Sequence, residues 1–199
     1  MGTFTDSRDG TVYKTVKIGN QVWMAENLAY EIEGSKCYGE GDKVDVGNKF
    51  KDLSDAEIQA NCKKYGRLYD WETAIKACPP GWHLPSKEEW QKLVDFANTN
   101  KNANNRANRC LKSKGGWEIG GTDDFGFTAL SGGYKTDNEF CKIGEYGRWW
   151  SSSECDSLWD STKNESACAY YCSIKNNGEN PYWNQEYKRF LFSVRCIKD

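Results

Sequence analysis

Apolar residues recur at helical spacing twice in the middle of the chain. Trp71, Ala74, Ile75 and Cys78 fall at i, i+3, i+4 and i+7, and Trp90, Leu93, Val94 and Ala97 repeat the pattern. Two short amphipathic helices are predicted. Between them, Pro79 and Pro80 stop the first helix, Gly81 turns the chain, and Trp82, His83 and Leu84 run extended because Leu84 precedes Pro85. Ser86 with Glu89 forms a capping box that starts the second helix.

Elsewhere the period is two or absent. Residues 11–18 and 21–24 are β-rich and flank Gly19-Asn20, which predicts an N-terminal hairpin with Trp23 and Met24 in the core. Residues 31–53 read as a polar surface loop. Ser54 and Glu57 then cap a helix expected to end near Cys62, and a Cys37 to Cys62 bond would pin the excursion that these two cysteines flank. The Asn-rich run 98–110 is expected as an exposed turn or frayed helix. Alternation of Phe125, Phe127 and Ala129 predicts a turn entering a strand. In RWWSSSE, residues 148–154, Trp149 and Trp150 point to opposite sheet faces, so one is expected in the core and the other at solvent or ligand. Strands at 169–174 and 189–197 close the chain, with a polar connection between them.

Composition narrows the class. At 199 residues, without a Pro- or Ser-rich linker, one domain is expected over 10–199, preceded by a tail at 1–9. Net charge of −2 with interspersed lysines and acids offers no basic stripe for a phosphate backbone, so nucleic acid is excluded as a partner. No apolar run reaches the roughly 18 residues of a membrane span, and the first ten residues carry no hydrophobic signal region. Nine cysteines beside one histidine, without a tight CxxC pair, point to disulfides rather than zinc and to an oxidising compartment. The expected location is secreted or at the outer cell surface, and a monomer is expected.

Five separated segments carry a resemblance: DGTVYKTVKIGNQVWMAENL, KYGRLYDWETAIKACPPGWHLPSKEEW, GTDDFGFTALSGGY, RWWSSSE and FSVRCIKD. In order, and along nearly the whole chain, they resemble the Fibrobacter succinogenes major paralogous domain. The resemblance implies an α+β, C-type lectin-like fold: two helices on small antiparallel sheets, loop-rich and stabilised by disulfides. In that fold the first helix carries a cysteine bonded to one near the C-terminus, which implies a Cys78 to Cys196 bond here. Two further bonds are expected among Cys110, Cys141, Cys155, Cys168 and Cys172, leaving one thiol.

Candidate chemistry is sparse. His83 is read as a structural donor in a core strand, since no triad or metal partner accompanies it. Asp123 and Asp124, beside Gly121 and Gly126, offer oxygens to a calcium ion, but their spacing does not match a calcium loop. The preferred reading there is an Asx-type turn with no cofactor, calcium being the alternative. The formylglycine-generating enzymes, a related branch of the fold, carry an LP-x-x-x-EW element like Leu84-Pro85 to Glu89-Trp90 and redox cysteines. Cys168 and Cys172 lie too far apart along a strand to bond, so that oxidoreductase is the alternative function rather than the expected one.

The expected function is non-catalytic binding of a glycan or a surface protein by the C-terminal loops. Aromatics there are interleaved with Ser, Asn and acids, as in binding surfaces. Trp150, Trp159, Tyr171, Asn176, Asn177, Tyr182, Trp183 and Asn184 are the candidate ligand residues. The segment also resembles, in texture, the diversified segment of retroelement variable proteins of this fold.

Overall fold

The computed structural model describes residues 1–47, 49–100, 106–155, 159–160 and 165–199. β1 (Gly2–Thr5) pairs antiparallel with β2 (Val12–Ile18), so residues 1–9 are part of the fold and not a tail. Asp6, fully buried, closes the connection by accepting from Arg8 Nη2 at 2.6 Å and from the Arg8 amide at 3.0 Å, while Phe4 packs at a tilt against Trp82. β2 alternates buried and exposed residues as far as Thr15 and turns at Gly19, φ 59°, into β3 (Gln21–Met24). A positive φ is natural for glycine and strained for L side chains.

The stretch 31–53 is more ordered than a polar loop. It holds β4 (Ser35–Lys36), β5 (Lys43–Asp45) and β6 (Phe50–Lys51), and it buries Cys37, Tyr38 and Val44. Arg67 anchors it by donating to Ser35 Oγ at 2.9 Å, and a disulfide joins Cys37 to Cys62. The capping box of Ser54 and Glu57 opens α1 (Asp55–Tyr65), which passes Cys62 by almost a turn. It stops at Gly66, φ 74°, where an added Cβ would lie 2.6 Å from the Leu28 carbonyl oxygen.

β7 (Leu68–Tyr69) leads to α2 (Trp71–Ala77), capped by Asp70. Trp71, Ala74 and Ala77 are buried, but Ile75 is 39% exposed, because the buried face centres on Ala74 and leaves Ile75, about 100° round the helix from it, at the edge. β8 (Trp82–His83) precedes α3 (Lys87–Asn100), whose Trp90, Leu93, Val94 and Ala97 are all buried. Ser86 and Glu89 cap α3 reciprocally, with contacts of 2.8 and 3.2 Å. α4 (Ala107–Leu111) buries Ala107, Asn108, Cys110 and Leu111, so the end of the Asn-rich run is core and not an exposed turn.

Residues 125–129 form no strand. Asp123 and Thr128 both have positive φ, and the Asp123 carboxylate accepts from the Thr128 amide at 2.7 Å and its hydroxyl at 2.8 Å. That loop inserts Phe127 and Ala129 into the core, and only Ala129 bridges to a neighbour, Lys112. β9 (Tyr134–Lys135), β10 (Glu139–Cys141) and β11 (Tyr146–Glu154) follow. β12 (Trp159–Asp160) pairs with β13 (Glu165–Ser166). β14 (Cys168–Lys175) and β15 (Tyr182–Tyr187) form a hairpin, so the second half of the polar connection expected at 176–188 is a sheet strand. The expected strand at 189–197 is two short pieces, β16 (Phe192–Ser193) and β17 (Ile197–Lys198).

The strands assemble into a five-stranded sheet, β1-β2-β3-β17-β8, a four-stranded sheet, β6-β5-β10-β9, and a six-stranded sheet, β15-β14-β11-β16-β7-β4. β17 lies between β3 and β8, which brings the C-terminus into the N-terminal sheet, and the Cys78 to Cys196 disulfide ties α2 to the residue before it. The third disulfide joins Cys155 to Cys168. Only one bond thus forms among the last five cysteines instead of two, and Cys110, Cys141 and Cys172 are buried thiols.

Both faces of β11 are core. Trp149 packs with Trp23, Trp90 and Phe127, while Trp150 packs on Phe192 and Tyr171, and both indoles are fully buried. Their N–H groups reach Asn27 Oδ1 at 2.9 Å and the Tyr69 carbonyl at 2.8 Å, which makes burying them tolerable. Arg195, also fully buried, donates to Asn27 Oδ1 and to the carbonyls of Met24, Phe127 and Thr128.

Candidate functional site

The edge of the six-stranded sheet sorts the candidate residues by strict alternation. Residues directly opposite on neighbouring strands share a face. The register places Arg148, Ser173 and Tyr182 in one row, Trp150, Tyr171 and Asn184 in the next on the same face, and Tyr146 with Lys175 beyond. Trp149, Cys172 and Trp183 occupy the opposite face.

On the first face an aromatic box forms around Arg148. Its guanidinium carbon lies 3.6 Å from the ring centre of Tyr134, 5.1 Å from Tyr171, 5.4 Å from Phe192 and 5.6 Å from Tyr146, all within cation–π range. Among the described residues, no carboxylate pairs with this guanidinium, and its Nε is buried without a hydrogen-bond partner. The hydroxyl of Ser173, across the strand pair, is likewise buried and unpartnered. Lys175 Nζ stands 4.6 Å from the Tyr182 ring centre.

Next to the box is a polar cleft of about 280 Å³ lined by Glu118, Glu145, Tyr146, Lys175, Asn176 and Asn177. Asn176 is braced there, accepting from the Ile119 amide at 2.6 Å and donating to Glu118 Oε2 at 2.7 Å. The cleft and the box share Tyr146, and Lys175 of the cleft lies against the rings of Tyr146 and Tyr182, so the two adjoin.

The sequence-derived candidates divide accordingly. Tyr182, Asn184, Asn176 and Asn177 lie on this surface, with Asn177 and Asn184 exposed. Trp150 is not available to a ligand, because the sheet carries core on both sides and encloses the indole. Tyr171 is also buried; burial pushes its phenol up to about 12, partly offset by the charge of Arg148, and it forms the floor of the box. Trp183 belongs to the other face, where it packs against the core and donates to Gln91 Oε1 at 2.7 Å. The Trp159 side chain lies outside the described residues. The cysteines of Cys78–Cys196 and Cys37–Cys62 are structural crosslinks.

Sequence reading missed Arg148, Ser173, Lys175, Tyr134 and Tyr146. The signal for four of them was the period of two in Tyr146-x-Arg148-x-Trp150 and Tyr171-x-Ser173-x-Lys175, which only the strand register converts into one surface. Tyr134 arrives from a separate sheet.

The other candidates resolve into local structure. Asp123 uses both carboxylate oxygens within its own turn, and no group of three or more metal-ligating side chains occurs among the described residues. His83 is half-exposed rather than a core donor, since it sits on a short strand beside the C-terminus: Nδ1 is 2.6 Å from Asp199 and Nε2 3.0 Å from Glu89. Desolvation opposes its protonation, but the two carboxylates outweigh it and raise its pKa. Burial lifts the Cys141 thiol to about 11 and the Cys172 thiol further, so neither is a thiolate at neutral pH.

Among the described residues, no helix is long and apolar enough to cross a membrane. No curated protein matches the chain. No solved structure matches it either. The family model for the Fibrobacter succinogenes major domain matches residues 16–198, nearly the whole chain, and it is to this family that the protein belongs.

Proposed function

We propose that this domain is a non-catalytic ligand-binding module of C-type lectin-like topology, working outside the cell or on its surface and meeting a glycan with the β14–β15 face of the six-stranded sheet. The observation that carries the reading is the concentration of half-buried tyrosines, cations and amides in the adjoining Arg148 box and Asn176 cleft. Tyrosine faces stack on sugar rings, while Asn side chains and the Glu145 carboxylate bind hydroxyls. Three disulfides support an oxidising compartment. The helix, short strand and capped helix, crosslinked from Cys78 to the chain end at Cys196, support the lectin-like topology.

The buried, high-pKa thiols of Cys141 and Cys172 argue against the formylglycine-generating alternative, which needs an accessible thiolate. Binding to an oligosaccharide array, compared with capture of proteins from cell-surface extract, tests the proposal. Tyr182→Ala is expected to weaken glycan binding by about 1–3 kcal/mol without lowering the melting temperature. Trp183→Ala, on the opposite face, is expected to leave affinity unchanged. Equal affinity in Tyr182→Ala, or capture of proteins alone, refutes the glycan reading.

A further inference from the structure

Apart from the binding reading, we infer that the Cys37–Cys62 disulfide is a thiol-exchange site, at which a small anionic thiol adds to Cys62 and displaces Cys37 as a thiolate held by Arg67. The two cysteines border different cavities. Cys62 is half-buried and lines a cavity of about 240 Å³. Cys37 is buried and lines a separate cleft of about 400 Å³, together with Arg67. One end of the bridge is thus open to an attacking group, and the other is enclosed beside a cation.

Arg67 is fixed on the bridge itself. Its Nη1 lies 3.2 Å from Cys37 Sγ and 3.7 Å from Cys62 Sγ. Nε donates to Ser35 Oγ at 2.9 Å and Nη2 to the Ser35 carbonyl at 3.2 Å, which holds the guanidinium in that position. Two carboxylates share its charge, Glu40 at 3.3 Å and Glu31 at 3.7 Å, but both reach Nη2 and both are open to solvent. Nη1 is left to the sulfurs, so a thiolate forming at Cys37 meets a charged donor already in place. Such a donor stabilises the thiolate, and a stabilised thiolate is the better leaving group in disulfide exchange.

The step is a balanced exchange. The incoming thiolate attacks Cys62 Sγ and forms the new S–S bond, the Cys37–Cys62 bond breaks, and its electron pair leaves on Cys37 Sγ, which accepts from Arg67 Nη1. The incoming sulfur is oxidised into a mixed disulfide on Cys62, and Cys37 is reduced. Lys14, Lys63 and Lys64 line the entry cavity against one carboxylate, Glu26, which accepts from the Lys14 amide at 2.7 Å. That excess of positive charge favours an anionic thiol over a cationic one.

The other two bridges are built differently. Cys155 and Cys168 are both fully buried. Attack at the half-buried Cys78 would expel Cys196 as a thiolate inside the apolar cluster of Trp82, Leu84 and Val194, where desolvation opposes the charge.

The test incubates the folded protein with 2-mercaptoethanesulfonate and, separately, with cysteamine, quenches early with iodoacetamide and maps the products by mass spectrometry. The expected result is the thiol adduct on Cys62 and the alkyl group on Cys37, formed about tenfold or more faster than either other bridge opens. Each thiol's rate is taken relative to its rate on a small-molecule disulfide, and on that scale the sulfonate is expected to be the faster reagent. Arg67→Gln separates a leaving-group role from a structural one: loosening of the segment speeds opening, whereas loss of the donor slows it, by about tenfold. Near-ultraviolet circular dichroism checks that the variant is folded; if it is not, the site of the adduct in the unsubstituted protein decides alone. Earlier opening of another bridge, an adduct on Cys37, no preference for the anionic thiol, equal or faster exchange in folded Arg67→Gln, or no exchange in the native protein overturns the inference.

Discussion

Arg195 offers the sharpest test of how this fold is held. Its guanidinium is fully buried, and desolvation pushes its pKa down to about 9, with Asp123 and Glu26 pulling it back, so it is charged at neutral pH. Among the described residues, no carboxylate bonds to it directly. Its donors go instead to Asn27 Oδ1 at 2.8 and 3.2 Å and to the carbonyls of Phe127, Met24 and Thr128 at 2.5, 3.2 and 3.2 Å. These acceptors come from the end of β3, the segment after it and the 123–128 loop, so one side chain ties the C-terminal segment to two distant parts of the chain.

Replacing it with methionine keeps much of the volume and removes every donor. Each buried carbonyl left unpaired costs about 1–3 kcal/mol, while the desolvation penalty of the charge is relieved. With three carbonyls left unpaired, less the relieved desolvation penalty, the net expected loss is about 3–5 kcal/mol, a large share of the roughly 5–15 kcal/mol that holds a typical domain together. Urea unfolding under non-reducing conditions, followed by tryptophan fluorescence, measures it. Asn27 also accepts from Trp149 Nε1, so Asn27→Ala and Arg195→Met are expected to be non-additive, with a coupling of about 0.5–3 kcal/mol. A loss below about 1 kcal/mol for Arg195→Met, or strict additivity in the double variant, would refute the reasoning that unpaired carbonyls dominate.

Two further outcomes follow from the cysteines and the histidine. With three disulfides formed, the chain unfolded without reductant should titrate three thiols with Ellman's reagent, while the native protein reacts slowly because all three are buried; a single reactive thiol would contradict the bridge assignment. His83 has a raised pKa in the folded state, so its ion pairs stabilise fully below the ordinary histidine value near 6.5, and that stabilisation fades as pH rises through the folded value. Melting temperature should therefore decline slightly from pH 6 towards 8 and lose that slope in His83→Gln, with an amplitude under about 1 kcal/mol because the pair is half-exposed; an unchanged slope would exclude the histidine as its source.

Local chemistry was legible in the chain. Both capping boxes, the α3 stripe of Trp90, Leu93, Val94 and Ala97, and the Gly19 turn each depend on residues within a few positions of one another, so the sequence carries them directly. Family membership was legible too, because several motifs agree in order over residues 16–198. What lay beyond local pattern was the partner of each strand. Alternation assigns Trp149 and Trp150 to opposite faces, but it does not say that both faces are covered, and in the fold each face of the six-stranded sheet packs into a separate core cluster. Polarity marked 176–188 as a connection, yet cross-strand pairing from Cys168 to Ser173 made 182–187 a strand, because ladder hydrogen bonds satisfy a polar sequence as well as an apolar one. The Arg148 box is the extreme case: its rings come from four strands of two sheets, and no window of sequence contains them. The one-dimensional pattern thus determined the locally encoded caps, stripe and turn, while the short strands, the pairing of the last five cysteines and the surface on which a ligand would rest were decided only when register set distant residues side by side.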